Sequence, residues 1–319
     1  MLEIKKITKT FISPIKISDV ILKHRKLGEV SLNSSPISEI SPLEGLHKET
    51  LEDAISQFRE FMENHNFDSI FFESLKSKNL TNLKWDQFGF GILKNSKEIQ
   101  DKLFPSVKYA IELAILNTID SNSYPLKNVC LLDFNQFLEK ENGDVIKIKI
   151  GRNSIQEDRK KIEKYLLKTK YKFRLDGNKL FSHTDLSKLL DGIPVSRIDY
   201  IEDPFLNKSE FIKFTKCNKF NVNFAFDENL DLLLSNEHLY DSVKYAIIKP
   251  NLIGGISKTI EYTEKLLGKG KKVVISSSFE GPIGISGLNK IHFIHPSLFT
   301  ETPGLDTLRY FKSTEKMHY

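Results

Sequence analysis

From residue 145 onward the chain keeps a beat, and that beat restricts the fold more than any other feature. Strand-like apolar runs occur at 145–150, 171–176, 197–202, 221–227, 244–249, 271–276 and 291–294. Helical patterns lie between most of them. "SIQEDRKKIEKYLLK" starts behind an N-cap-like Ser154. "SHTDLSKLL", "KSEFIKFTK", "LDLLLSNEHLY" and "GISKTIEYTEKLLGKG" follow, the last ending in glycines as a helix C-terminus does. Strands alternating with helices at this spacing predict βα units and a parallel sheet. Seven beats plus an earlier helix over 106–118 predict a closed barrel of the α/β class. An open doubly wound sheet is the alternative, but no GxGxxG follows a first strand.

The first hundred residues have another texture. "LEIKKITKTFI" and "GEVSLNSSPISEI" predict antiparallel strands, and "KETLEDAISQFREFMENH" predicts an amphipathic helix. That is α+β, expected as a domain over residues 1–100, with the barrel over 101–299.

Each barrel strand carries a polar residue near its end: Lys149, Asp176, Glu202, Asp227, Lys249 and Ser276. The intervals of 27, 26, 25, 22 and 27 residues are about one βα unit each. A shared period puts all six at the same end of successive strands, and in a βα barrel that end carries the active site. Three carboxylates on consecutive strands repel one another at low dielectric, and a divalent cation resolves the repulsion. Oxygen ligation by Asp176, Glu202 and Asp227 without His or Cys favours Mg²⁺, with Mn²⁺ as an alternative. Taken singly, each acid could as well be a loop cap.

In "VIKIKIG" (145–151) the isoleucines share one strand face, and Lys147 and Lys149 share the other. A free lysine with a pKa of about 10.4 is almost wholly protonated at neutral pH. A neighbouring cation and desolvation lower that value. Lys147 beside Lys149 in the barrel interior therefore makes Lys149 a candidate general base. "LIGGISKT" lacks the glycine before Lys258 that a phosphate loop requires, and reads as a turn opening a helix. "SSSFEGPIG" leads into a helix at Pro282, where N–H groups and hydroxyls suit a substrate carboxylate.

In this order the KxK strand, "RLDGN", "IEDP", "FDEN", "IIKP" and "SSSFEG" resemble the enolase superfamily, in its muconate-lactonizing-type subgroup. "SEISPLEGLHKET" (38–50) and "TPGLDTL" (302–308) are similar to stretches of the o-succinylbenzoate synthases in that subgroup. The resemblance implies a (β/α)₇β TIM-like barrel with an N-terminal α+β capping domain, and a tail (300–319) packing back on the cap. It implies Mg²⁺ on Asp176, Glu202 and Asp227, with Asp203 behind them. Lys149 would be the base, Lys249 would stand across the ring, and Arg174, Ser276 and Ser277 would hold the substrate. The implied reaction is a lyase step of menaquinone synthesis: loss of water from a cyclohexadiene carboxylate to give o-succinylbenzoate. N-acylamino acid racemases and dipeptide epimerases of the same subgroup are the rival reading; a non-catalytic basic binding protein would have lost some of the six positions. Three departures stand out: Gly281 and Pro282 in place of two serines, Gly177 in place of the usual Ala (expected to be minor), and "LHKET" in place of "FSQET".

Bulk properties narrow the rest. The net charge is +5, but the lysines are interleaved with acids and no nucleic-acid motif accompanies them, so no nucleic-acid partner is expected. No apolar run approaches the ~18 residues of a membrane span. The N-terminus lacks the apolar centre of a leader, so a cytoplasmic enzyme is expected. Two cysteines and scattered histidines argue against disulfides or a zinc site. The expected partner is a small carboxylate substrate, and the expected state a monomer.

Overall fold

The computed structural model describes residues 1–76, 101–126, 130–132, 145–168, 170–217, 219–227, 230–235 and 238–312. The chain opens with an antiparallel sheet of β1 (Leu2–Ile17), β2 (Val20–Leu32) and β3 (Ser35–Ile40). The segment expected to be one strand over 28–40 is the end of β2, a turn and β3. Asn33 and Ser34, at φ 49° and 67°, form that two-residue turn, and left-handed residues there match the twist of a hairpin. Helix α1 (Leu51–Asn64) starts at a capping box: Thr50 accepts from the Asp53 N–H, and Asp53 accepts from the Thr50 N–H. A short α2 (Ser69–Leu75) follows.

Helix α3 (Pro105–Ile119) has eleven of its 15 residues buried, so it is apolar nearly all round and must be covered on every side. Val107, Ala110, Ile111, Ala114 and Ile115 pack with β2, β3 and α1. Tyr109, Leu113 and Leu116 pack into the core of the second unit. The division expected near residue 100 falls outside the described residues.

The second sheet is parallel, in the order β10-β9-β8-β7-β6-β5-β4. Its strands are β4 (Cys130–Leu132), β5 (Val145–Lys149), β6 (Lys172–Asp176), β7 (Ile198–Glu202), β8 (Phe224–Phe226), β9 (Val243–Ile248) and β10 (Lys272–Ile275). Helices α4 (Ile155–Lys168), α5 (His183–Leu190), α6 (Lys208–Cys217), a short α7 (Asp231–Leu234), α8 (Pro250–Ile253), α9 (Ile256–Gly268) and α10 (Pro282–Ile294) connect and follow them. Ile146 and Ile148 of β5 pack outward with α4 residues Ile162 and Tyr165. Tyr200, Ala225, Tyr245, Ile247 and Val274 fill the barrel interior.

Two expectations are corrected. The run 291–294 is the last turn of α10, not a strand. The first strand of the ring is β4, which the beat from 145 onward leaves out; its side chains, Cys130 included, lie outside the described residues. The eighth place is taken by an irregular segment. Gly304 bridges Ser276 in parallel, its N–H donating to the Ile275 carbonyl at 2.8 Å, and the 3₁₀ turn Asp306–Tyr310 then reaches β4. Beyond it, Phe311 bridges β1 at Phe11 and stacks on its ring at 4.7 Å, so this part of the tail lies on the capping sheet. No helix among the described residues is long and apolar enough to cross a membrane.

Candidate active site

The strand registers bring the acids to one level. Lys149 pairs with Asp176, and Asp176 pairs with Glu202, at the C-terminal ends of β5, β6 and β7. Asp227 follows β8, and Lys249 follows β9. In a ring of eight places β5 and β9 are four apart in either direction, which puts Lys149 and Lys249 on opposite sides of the barrel axis.

Charge pairing organises the floor of this mouth. The Lys147 ammonium lies 2.7 and 2.8 Å from the two carboxylate oxygens of Glu202 and 3.1 Å from Oδ2 of Asp176. Lys249 donates to Oδ2 of Asp227. Burial alone would lower the Lys147 pKa, but Asp176 and Glu202 hold it well above the ordinary lysine value. For Lys249, too, burial is outweighed, by Asp227. Burial pushes the Glu202 carboxyl up to about 7 despite Lys147, with Asp176 and Asp227 adding to the rise. Burial acts the same way on Asp176, but Lys147 and then Lys149 overcome it, and that carboxyl sits below its usual range. Lys147 is thus a counter-ion shared by two acids. Glu202 and Asp176 compensate the Lys147 charge at contact.

Among the described residues, no three His, Cys, Asp or Glu side chains are drawn together closely enough to hold one ion here. In kind, the donors fit a hard divalent cation: three carboxylates on adjacent strands, without nitrogen or sulfur. A cationic group already bridges two of them, at the Lys147 ammonium. Asp203 turns the other way, at φ 33°, and accepts from the Asp227 N–H at 3.1 Å. It holds the backbone of one acid and leaves Glu202 to face the interior.

The residues expected to hold a substrate have protein partners of their own. Arg174 lies a layer below the acids and is 2% exposed. Its guanidinium donates to Asp199 Oδ2 at 2.8 Å and to the Thr302 carbonyl at 2.7 Å, and it lies 4.9 Å over the Tyr200 ring. Asp199 reaches it because a register shift beside Phe173 and Arg174 leaves Asp199 without a strand partner. So committed, Arg174 ties the closing segment to the barrel floor. Ser277 is buried as well, its hydroxyl 2.8 Å from that of Thr307, so it pins the same segment. Ser276 stands at the mouth, its hydroxyl donating to the Gly304 carbonyl at 3.2 Å.

The N-terminus of α10, expected to receive a substrate carboxylate, receives one from the protein. Glu39 of β3 accepts from the Gly281 N–H at 2.7 Å and from Gly284 at 3.5 Å. This explains Gly281: a Cβ there would stand 2.5 Å from Glu39 Oε2 and 2.8 Å from a Leu27 methyl. Likewise Glu112 of α3 accepts from the Ile256 and Ser257 N–H groups, filling the N-terminus of α9 after "LIGG". A phosphate loop is therefore not formed there. Burial pushes both carboxyls up to about 7. Gly177, expected to be a minor departure, is required by contact, since a Cβ would come 2.5 Å from Pro204 Cα.

Sequence reading missed Glu39, Glu112 and Asn251. Asn251 is fully buried, and its amide donates to the Ser41 carbonyl at 2.7 Å and to Ser278 Oγ at 3.2 Å.

No family model matches the chain. It is similar to the o-succinylbenzoate synthase of Vibrio cholerae serotype O1 (strain M66-2), at 27% identity over 93% of this chain and 87% of that one. It is similar to the enzyme of the same name in Haemophilus influenzae, at 26% identity over 93% and 86%. Among solved structures, o-succinylbenzoate synthase from Thermosynechococcus elongatus BP-1, complexed with Mg in the active site, matches with TM-score 0.67 and 17% identity, over 99% of this chain and 95% of that one. A dipeptide epimerase from Enterococcus faecalis V583, complexed with Mg and L-Leu-L-Tyr, matches with TM-score 0.67 and 16% identity, over 98% and 91%. The barrel with its capping sheet is thus the fold of these enzymes.

Proposed function

We propose that this chain is an o-succinylbenzoate synthase of the enolase superfamily, a lyase that dehydrates 2-succinyl-6-hydroxy-2,4-cyclohexadiene-1-carboxylate in menaquinone synthesis. The observation that carries the reading is the placement of Lys149 and Lys249 on opposite sides of one mouth, with Asp176, Glu202 and Asp227 between them. The named relatives at 27% and 26% identity support it. Residues 1–100, with the tail from 300, form the cap in this reading, and 101–299 the barrel.

Asp176, Glu202 and Asp227 would hold Mg²⁺, which supplies positive charge to the substrate carboxylate and so acidifies its α-carbon. Lys149 takes the α-proton as general base. The electrons move into the carboxylate, giving an enediolate. Lys249, kept cationic by Asp227, offers its charge from the opposite side. Lys149 then returns its proton to the departing β-hydroxyl on the same face, a syn elimination. Water leaves, the ring becomes aromatic, and that change drives the step. Lys147 holds Glu202 and Asp176 in place.

The same two lysines could instead exchange an α-proton between faces. The dipeptide epimerase has the same TM-score as the synthase, so the fold alone does not separate the two readings. The test is to supply purified protein and Mg²⁺ with the cyclohexadiene substrate and follow the ultraviolet absorbance. Formation of o-succinylbenzoate is expected. No product here, together with racemisation of N-succinyl amino acids or of dipeptides, would replace the synthase reading by the second one.

A further inference from the structure

His47 sits in the capping segment after β3, half-buried against the loop that follows Lys249. Its Nδ1 is 2.8 Å from the Leu43 N–H, and its Nε2 is 3.1 Å from the Asn251 carbonyl. A backbone N–H only donates and a backbone carbonyl only accepts. The ring must therefore be neutral, with its proton on Nε2. Asn251 lies two residues beyond Lys249 and is itself tied through its side chain to Ser41 and Ser278.

The two halves of the segment are held differently. Ser41 and Pro42 are gripped by Arg25, which donates to both carbonyls, and by Asn251. Neither grip titrates near neutrality. In the half from Leu43 to His47 the Leu46 and His47 N–H groups donate to the Leu43 carbonyl, and the imidazole accepts from the Leu43 N–H. We propose that His47 is a positioning residue that joins the turn at residues 43–47 to the Lys249 loop, and that protonation of its ring breaks its bond to the Leu43 N–H. A second proton would sit on Nδ1, facing the Leu43 N–H, donor against donor. The side-chain bond to the Leu43 N–H is then lost, while the bond to Asn251 and the two backbone bonds to the Leu43 carbonyl survive.

The charged groups that bear on the ring are Glu49 in its own segment, Arg25 of β2 and Glu280 beyond β10. Burial dominates them and lowers the His47 pKa below its ordinary value. The Leu43 bond is therefore made at neutral pH and lost on acidification. His47 of "LHKET" is the titratable ring at this joint.

The inference rests on reading the strand ends as the active site, so its test has one arm without turnover. In purified protein, amide exchange read at Leu43 should show a protection factor that falls about tenfold between pH 7.5 and 5.0. In His47→Asn, whose amide oxygen can take the Nδ1 place, the protection should not change with pH. In the activity arm, the KM of the wild type should rise several-fold over that range relative to the KM of His47→Gln, which can keep the donation to Asn251. The kcat ratio should stay near one. His47→Ala should raise KM at every pH, with kcat little changed. A Leu43 protection factor independent of pH in the wild type would overturn the proposal, as would KM values of wild type and His47→Gln that move together. If exchange at Leu43 behaves as expected while no o-succinylbenzoate forms, the joint stands and the synthase reading falls.

Discussion

The Lys147 ammonium sits 2.7 Å from Glu202 and 3.1 Å from Asp176, one cation serving two acids from neighbouring strands. It balances the site before any ion arrives. Lys147→Met should therefore lower the melting temperature in metal-free buffer, and Mg²⁺ should raise it more than in the wild type. Breaking a buried pair leaves an uncompensated charge and costs about 3–5 kcal/mol. Equal Mg²⁺ shifts in the two proteins, read by calorimetry, would count against the three acids as the ligand set.

Lys149→Ala should reduce turnover by about 10³-fold or more, within the range for loss of a general base. It should leave the Mg²⁺-induced rise in melting temperature in place. A variant that retained more than a tenth of the activity would remove the assignment of the base.

Arg174 separates floor from mouth. Arg174→Met leaves Asp199 without its cation and frees the Thr302 carbonyl, so stability should fall by about 3–5 kcal/mol. The KM of the surviving folded fraction should change less than twofold. A large rise in KM without loss of stability would return Arg174 to the substrate.

Gly281→Ala forces a methyl against Glu39 and Leu27, and overpacking of this kind costs about 1–3 kcal/mol. The melting temperature should drop by several degrees. Glu39→Ala in the same chain should cost less than it does alone, because the two residues share one contact.

Burial raises Glu39 and Glu112 to about 7 from an ordinary 4.5, so each binds its proton more tightly in the fold than in the unfolded chain. The stability they lend is full below about 4.5 and is lost as the pH rises through about 7, on the order of 3 kcal/mol each. The melting temperature should fall between pH 5.5 and 8. Glu112→Gln should flatten that fall; an unaltered slope would show that Glu112 is ionised at low cost.

What the sequence revealed and what it concealed have physical reasons. Lys149, Asp176, Glu202, Asp227 and Lys249 were legible because one βα unit has a nearly fixed length, so a polar residue at each strand end repeats with that period. The closing segment had no such mark. Gly304 joins the ring through an isolated bridge, without the apolar alternation of a strand. β4, three residues long, offered too short a run to separate from a loop. Glu39 meets Gly281 across 242 residues, and nothing in the local pattern of either announces the other. Arg174 was expected at the site only because the resemblance implied it. Only the register shift that frees Asp199 shows where its charge is spent.

The barrel is sealed by Thr302–Gly304, which follows every strand of the ring in the sequence. During synthesis the other seven strands emerge first, and until that segment arrives β10 and β4 present unpaired backbone. Arg174, Ser276 and Ser277, all from earlier in the chain, hold that segment in place. A chain cut short before residue 300 would leave the outer edge of β10 without its partner.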